Sequence, residues 1–344
     1  MPTIPVQRRR VHIPTDGVIT IVTEPTPVPE AHEALVASIV SGVCGSDTHA
    51  LHGHHPMLKA PYYPGHEVVG TVVAVGADVS AVAVGDRVTP EPTLPCGFCK
   101  MCTTGRENVC ENLQFFGCGF REGGMAEYFT CDASRLHVVP ADFTDQQAAL
   151  IEPLSTPVHA ARLAGDLTGK TVAVLGSGTI GLLVLAAARA AGARRIVVTD
   201  VLAEKRALAE RAGADATVDA ADRDVAAKVR EALGETAEFV FDCVAIQPTV
   251  DSAFGMVDNG GTIVIVGVPE KSVTVNLPLL QDRQITLQGA ATYLAEDYRR
   301  SIEIIAAGGV DPDLIVTCEY PLDQVSDAFA ASISGHQVKV LVRI

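Results

Sequence analysis

Three observations in this chain predict an α/β protein, a doubly wound parallel sheet joined to an irregular, mostly-β region. From Thr171 onward, short apolar runs alternate with helical stretches, the pattern of a parallel sheet covered on both faces. A glycine-rich turn links the first of those strands to the first helix. Before residue 155 the chain is instead rich in Gly and Pro, with short Val- and Ile-bearing runs and four closely spaced cysteines.

Taken in order, the Arg8-Arg9-Arg10 run reads as a solvated terminal segment. HEALVASIVSGVCG and HEVVGTVVAVG carry β-branched residues at strand positions, and Gly76 and Gly85 punctuate turns. TVAVL, Thr171–Leu175, is a continuous apolar strand, followed by an Ala- and Leu-rich helix over 179–191. A second strand over 195–199 and a helix over 204–212 come next, then apolar runs over 238–243 and 262–266. The last stretch predicts helices near 298–307 and 322–332 and a strand over 338–342. The expected organisation is a first domain over 1–155, completed by 291–344, with the second domain over 156–290 between them.

Composition narrows the function. The chain has 344 residues, 48% of them hydrophobic, enough for two cored domains. With 26 basic against 41 acidic residues the net charge is −15, which argues against nucleic acid and anionic membranes as partners. No apolar run reaches about 18 residues, and the beginning of the chain lacks the apolar core of a secretion signal. Nine cysteines, clustered as they are, suit metal binding in a reducing compartment, so a cytoplasmic protein is expected.

The turn Gly176-Ser177-Gly178-Thr179-Ile180-Gly181 follows a strand and opens a helix, the setting of a dinucleotide pyrophosphate. Asp200 ends the next strand, where a carboxylate holds a ribose 2′-hydroxyl and repels a 2′-phosphate, so NAD is expected over NADP. The plainer reading is a packing turn, with Asp200 as a helix cap.

Cys96, Cys99, Cys102 and Cys110 are spaced C-x2-C-x2-C-x7-C, which suits a closed structural zinc site more than disulfides or an iron–sulfur cluster. Cys118, Cys131, Cys243 and Cys318 lack such spacing and read as core or surface thiols. Cys44, His66, Glu67 and Glu152 are scattered, as ligands of an open zinc site usually are. Singly, His66 reads as an interior histidine with Glu67 as its partner. His52, His54 and His55 read as a polar loop near the substrate entrance.

Together these residues resemble the zinc-dependent medium-chain alcohol dehydrogenase superfamily. GHEVVGTVVAVGADV carries its Gly-His-Glu signature, and the four-cysteine lobe and nucleotide turn follow in the family's order over essentially the whole chain. IEPLSTPVHAARLAG and the CGSD context look most like the sorbitol (polyol) dehydrogenase branch, with threonine and butanediol dehydrogenases close by.

The resemblance implies a Rossmann domain, a GroES-like catalytic domain and two zinc ions per chain. Cys44 and His66 would bind the catalytic zinc. Glu67 would bind it directly or through water, and Glu152 would exchange with the zinc-bound water. Ser46 matches the hydroxyl that passes the alcohol proton outward, unless it merely caps a helix beginning near Asp47. His49 matches the outer relay. Asp200 and Lys205 would contact the adenosine side, and Val266, Gly267 and Val268 the nicotinamide half. A small-molecule alcohol substrate and a homodimer or homotetramer are implied. Animal polyol dehydrogenases carry an arginine beside an aromatic residue where this chain has GAATY, Gly289–Tyr293. A polyol other than sorbitol, an amino or cyclic alcohol, or a sugar acid is therefore implied. The rivals are a zinc-free quinone reductase type and a cofactor-binding protein without activity.

Overall fold

Apolar runs of five or six residues leave no polar face, so they must be covered on both sides. The computed structural model, which describes residues 4–55, 58–119 and 121–344, builds them into one of two units. The first unit takes the chain up to Glu152 and again from Val316; the second is Pro153–Ile315.

The second unit is a six-stranded parallel sheet. Its order is Ala216–Asp219, Arg195–Asp200, Thr171–Leu175, Ala237–Asp242, Val257–Ile265 and Thr286–Gly289. Numbered within the unit this is 3-2-1-4-5-6, the order of dinucleotide-binding sheets, whose ligands sit beyond the strand ends where the order reverses. Every residue of Thr171–Leu175 is buried, and Leu175, Val197, Val240, Phe254 and Ile263 meet in one core. Leu175 lies in register with Thr199, and Gly176 N–H donates to the Thr199 carbonyl at 2.8 Å. The glycine turn and Asp200 are thereby brought to one sheet edge.

The expected return to the first domain at 291 comes instead at Val316. The helix Ala295–Ala306 stays with the second unit because Asp297 binds the helix Ile151–Ala164. Asp297 accepts from Arg162 Nε at 2.7 Å and pairs with His159 Nδ1 at 2.7 Å, while also accepting from Leu294 N at the start of its own helix.

In the first unit the long strand Glu33–Val43 is the hub. It pairs with Lys339–Arg343, Val68–Val75 and Tyr128–Asp132, all antiparallel. Val36, Val68, Val72 and Phe129 pack on one part of this sheet, and Val43, Tyr62, Phe329 and Val340 on another.

The arginine run is not a solvated segment. It lies in the strand Gln7–Thr15, where alternation sends Arg8 and Arg10 to one face and Arg9 to the other. Arg8 and Arg10 are buried against Glu24 and Glu122, with Arg8 at 2.7 Å from each carboxylate. Arg10 also covers the Tyr63 ring, its guanidinium carbon 3.4 Å from the centroid. Arg9 faces solvent with Glu127 and Asp323.

Burial alone would raise the Asp297 carboxyl, but hydrogen bonds from Arg162 and His159 outweigh it and bring it down to about 2. The folded state therefore binds fewer protons than the unfolded state across the ordinary carboxylate range. Stability from this group is full above that range and is lost as pH falls toward 2. The stability difference between wild type and Asp297→Asn should shrink by about 2 kcal/mol from about pH 5 to about pH 2, read by urea unfolding. A difference that stays constant with pH would remove Asp297 as the source.

Candidate functional site

The four-cysteine lobe forms almost entirely from local turns. The sulfur-to-sulfur distances are 3.5 Å for Cys99–Cys102, 3.8 Å for Cys99–Cys110 and 4.0 Å for Cys96–Cys102. A tetrahedron with metal–sulfur bonds of about 2.3 Å has edges of about 3.8 Å, so the four sulfurs fit a zinc ion. Backbone N–H groups point at the sulfurs, with Cys96 N and Asn112 N each 3.3 Å from Cys110 Sγ. Burial pushes the Cys96 thiol up, and the amides of Phe98 and Cys99 outweigh it, bringing it down to about 6. Cys102 moves the other way, pushed up to about 12 by burial.

The second group is assembled from distant segments. Cys44 ends the hub strand and precedes the helix Gly45–Leu51, while His66 and Glu67 enter just before the strand Val68–Val75. Ligand atoms of Cys44, His66 and Glu67 lie within 4.8 Å of one another. Glu67 fits because position 42 is glycine, where a Cβ would stand 1.9 Å from Glu67 Oε2. Burial disfavours a charged His66 ring, but Cys118, Asp47 and Cys44 outweigh it, and the imidazole holds a proton well above its usual range. A metal cation would meet the same field.

Glu152 is buried near the start of the helix Ile151–Ala164, close enough for its charge to act on Lys339, but it is not one of the grouped atoms. Ser46 and His49 lie on the helix Gly45–Leu51, both half-buried. Cys44 occupies the cap position and its N–H donates to Asp47 Oδ2 at 3.0 Å, so Ser46 is the second helical residue and not the cap. His52, His54 and His55 belong to none of the metal-ligating groups among the described residues.

Three contacts escaped the sequence reading. Lys339 is buried and its ammonium lies 2.7 Å from both Glu67 oxygens and 3.2 Å from the Val43 carbonyl. Its signal was a lysine inside an otherwise apolar strand. Asp47, within CGSD, is fully buried, with Oδ1 3.9 Å from His66 Nδ1. Burial raises its carboxyl to about 6 against the pull of His66. Cys118 packs against the core as the sequence reading has it, and its sulfur also lies 3.8 Å from His66 Nδ1, a contact the spacing did not signal.

In the nucleotide turn each glycine has a separate geometric reason. Gly176 has φ +91°, Gly178 faces open space, and a Cβ at Gly181 would stand 1.8 Å from the Gly176 carbonyl oxygen. Ile180 is half-buried on the first turn of the helix Thr179–Ala190. Asp200 is fixed: Oδ2 accepts from Ser177 N at 2.8 Å and Ser177 Oγ at 3.0 Å, and Oδ1 from Leu202 N at 2.9 Å. Lys205 lies half-buried on the helix Ala203–Arg211. Val266 and Gly267 N–H groups donate to the Asp242 carbonyl at 2.9 and 3.0 Å, and Val268 is exposed beside them.

Comparison with known proteins places this geometry. Residues 30–141 match the alcohol dehydrogenase GroES-like domain, and 179–307 match the zinc-binding dehydrogenase family. The sorbitol dehydrogenase of Bacillus subtilis is 32% identical over 332 residues, covering 94% of each chain. The chain belongs to the zinc-dependent medium-chain alcohol dehydrogenase superfamily. Within it the polyol branch fits, since a protein of Aspergillus clavatus named as a D-xylulose reductase A is 31% identical, covering 95% of this chain and 94% of that one. A zinc-binding dehydrogenase of Sinorhizobium meliloti, solved with NADP, superposes with a TM-score of 0.92 at 32% identity, over 98% of this chain and 99% of that one. Membership of the superfamily accounts for finding donor groups that could hold a metal and a glycine-rich turn in one chain.

Breaking a buried ion pair on one side leaves an uncompensated charge. Lys339→Met should therefore cost about 3–5 kcal/mol in urea unfolding of metal-stripped protein, and the double variant with Glu67→Gln should recover much of it. Strictly additive losses would mean that the pair is not coupled.

Proposed function

We propose that this chain is a zinc- and NAD-dependent dehydrogenase that oxidises a secondary alcohol, a polyol or related polyhydroxy or cyclic alcohol, to the ketone. The observation that carries the reading is the gathering of Cys44, His66 and Glu67 within 4.8 Å in a chain that also holds the glycine turn and Asp200. Two zinc ions per chain are proposed, one in the lobe of Cys96, Cys99, Cys102 and Cys110 and one held by Cys44 and His66. Glu67 and Glu152 would serve as exchangeable carboxylates at the second ion.

Zinc there would supply Lewis acidity toward the alcohol oxygen, and the nicotinamide would accept the hydride. The chain's own residues orient the substrate and move its proton. Ser46 takes the hydroxyl proton and His49 passes it toward solvent. Lys339 keeps both Glu67 oxygens engaged, which favours leaving a coordination place to substrate. Asp200 favours NAD because its carboxylate, held by Ser177 and Leu202, would repel a 2′-phosphate, and the neighbouring Arg206 is engaged by Asp219 at 3.1 Å. Lys205, Val266, Gly267 and Val268 would line the cofactor.

A homodimer or homotetramer is consistent with the strand Thr286–Gly289, which pairs on one side only among the described residues, and with exposed Val268 and Leu277 nearby in sequence. Sedimentation of the purified chain as a monomer would end that reading. A reducing cytoplasm suits nine cysteines left as free thiols, and no helix among the described residues is long and apolar enough to cross a membrane.

The test is a panel of polyols, inositols, amino alcohols and sugar acids, followed by NADH absorbance. Turnover should be better with NAD than NADP, and Asp200→Ala should narrow that preference. Failure with every alcohol, despite bound zinc and NAD, would favour a binding protein without activity. A threonine- or butanediol-type enzyme would instead prefer the amino or vicinal alcohol.

Ser46→Ala should slow turnover by about 10²–10⁴-fold, the range for a lost proton-transfer group. Because Ser46 is not the helix cap and Ala is a good helix former, the thermal midpoint should hold. A lowered midpoint with near-normal turnover would take Ser46 out of the mechanism.

A further inference from the structure

The imidazole of His66 presents Nδ1 to two groups that the proposed reaction does not use. Cys118 Sγ lies 3.8 Å from that nitrogen and Asp47 Oδ1 3.9 Å from it. Ligand atoms of the three residues fall within 4.8 Å of one another, a set that includes His66 but not Cys44.

Asp47 is otherwise committed. Oδ2 accepts from Cys44 N at 3.0 Å, and the Asp47 carbonyl accepts from the Tyr62 hydroxyl at 3.1 Å. Only Oδ1 is left, buried and with no hydrogen-bond partner among the described residues. A carboxylate oxygen orphaned in the interior is costly, so a donor is expected to reach it in the working protein.

Cys118 comes to this place through a tight turn. Its N–H donates to the Phe115 carbonyl at 3.1 Å, and the Phe115 ring packs edge-on against the His66 ring at 5.7 Å. The segment 115–118 therefore borders the imidazole with both an aromatic ring and a sulfur.

We propose that Cys118 is a positioning residue for the metal-binding imidazole: its sulfur accepts the Nδ1 proton of His66, with the Asp47 carboxylate beside it at 3.9 Å, outside hydrogen-bond range. The inference rests on His66 being a ligand of the second zinc. A metal-bound imidazole with Nε2 occupied keeps its proton on Nδ1, and the partner of that N–H fixes ring orientation and ligand basicity. The carboxylate supplies basicity. The sulfur, a large and weak acceptor, fills the side of the ring that Asp47 leaves open and limits its rotation.

The experiment uses the full chain with zinc in the lobe and either zinc or cobalt(II) at the second position. Cys118→Ala should weaken metal retention at that position by about 10–100-fold against a competing chelator, leaving the lobe ion untouched. Cys118→Ser, which keeps an acceptor, should recover most of the loss. The sulfur-to-cobalt absorption contributed by Cys44 should persist in Cys118→Ala.

Retention equal to wild type in Cys118→Ala would overturn the inference and leave the zinc reading standing. Loss of one sulfur's share of the absorption would also overturn it, by making Cys118 a ligand. Wild-type protein that holds metal only in the lobe would remove the zinc reading, and this inference with it. Metal-free variants with thermal midpoints matching wild type establish that any loss is not a folding failure.

Discussion

The buried ion pair of Lys339 and Glu67 ties the strand Lys339–Arg343 to the segments that carry Cys44 and His66. An ammonium and a carboxylate taken out of water must satisfy each other, and here the lysine meets both carboxylate oxygens at 2.7 Å and a backbone carbonyl at 3.2 Å. To bring them together, the strand Lys339–Arg343 must lie against the hub strand Glu33–Val43, and Glu67 must pass over Gly42. Once that holds, Cys44 at the end of the hub strand and His66 beside Glu67 are neighbours. Three residues from separate segments thus become one donor set, held by a lysine 272 positions beyond Glu67, because two charges cannot be buried apart.

The two groups of residues that could hold a metal differ in how they are specified. The cysteine lobe spans fifteen positions, from Cys96 to Cys110, and its sulfurs sit near tetrahedral spacing through short turns and amide donors. The second group is made by sheet registry, and around it stand groups with no counterpart in the lobe: an orphaned carboxylate oxygen on Asp47, a sulfur on Cys118 and the engaged lysine. Groups behind a donor fix its orientation: in the lobe these are nearby amides, in the second group side chains from several elements.

Four of the six strands of the second unit were legible as apolar runs, and the glycine turn sits where a parallel sheet demands close approach; Ala216–Asp219 and Thr286–Gly289 were not, because each is four residues long and mixes polar with apolar side chains. Asp200 was legible as the end of a strand, although its bonds to Ser177 and Leu202 were not. The arginine run misled because charge in sequence says nothing about which strand face will carry acids to meet it; Glu24 and Glu122 arrive from elsewhere in the chain. The boundary near 291 misled for a similar reason. The helix Ala295–Ala306 is amphipathic and would suit either unit, and the His159–Arg162–Asp297 cluster decides which.

The sequence by itself determined what depends on neighbours along the chain: the cysteine lobe, the glycine turn, the alternation that makes a doubly wound sheet, and the Gly-His-Glu signature that carries the family resemblance. Tertiary structure alone decided what depends on strand registry and shared burial. It gave Lys339 to Glu67, set Asp47 and Cys118 on one nitrogen of His66, and made Cys44 rather than Ser46 the helix cap. Local chemistry is written in spacing, but a buried charge acquires its partner only when distant strands come into register.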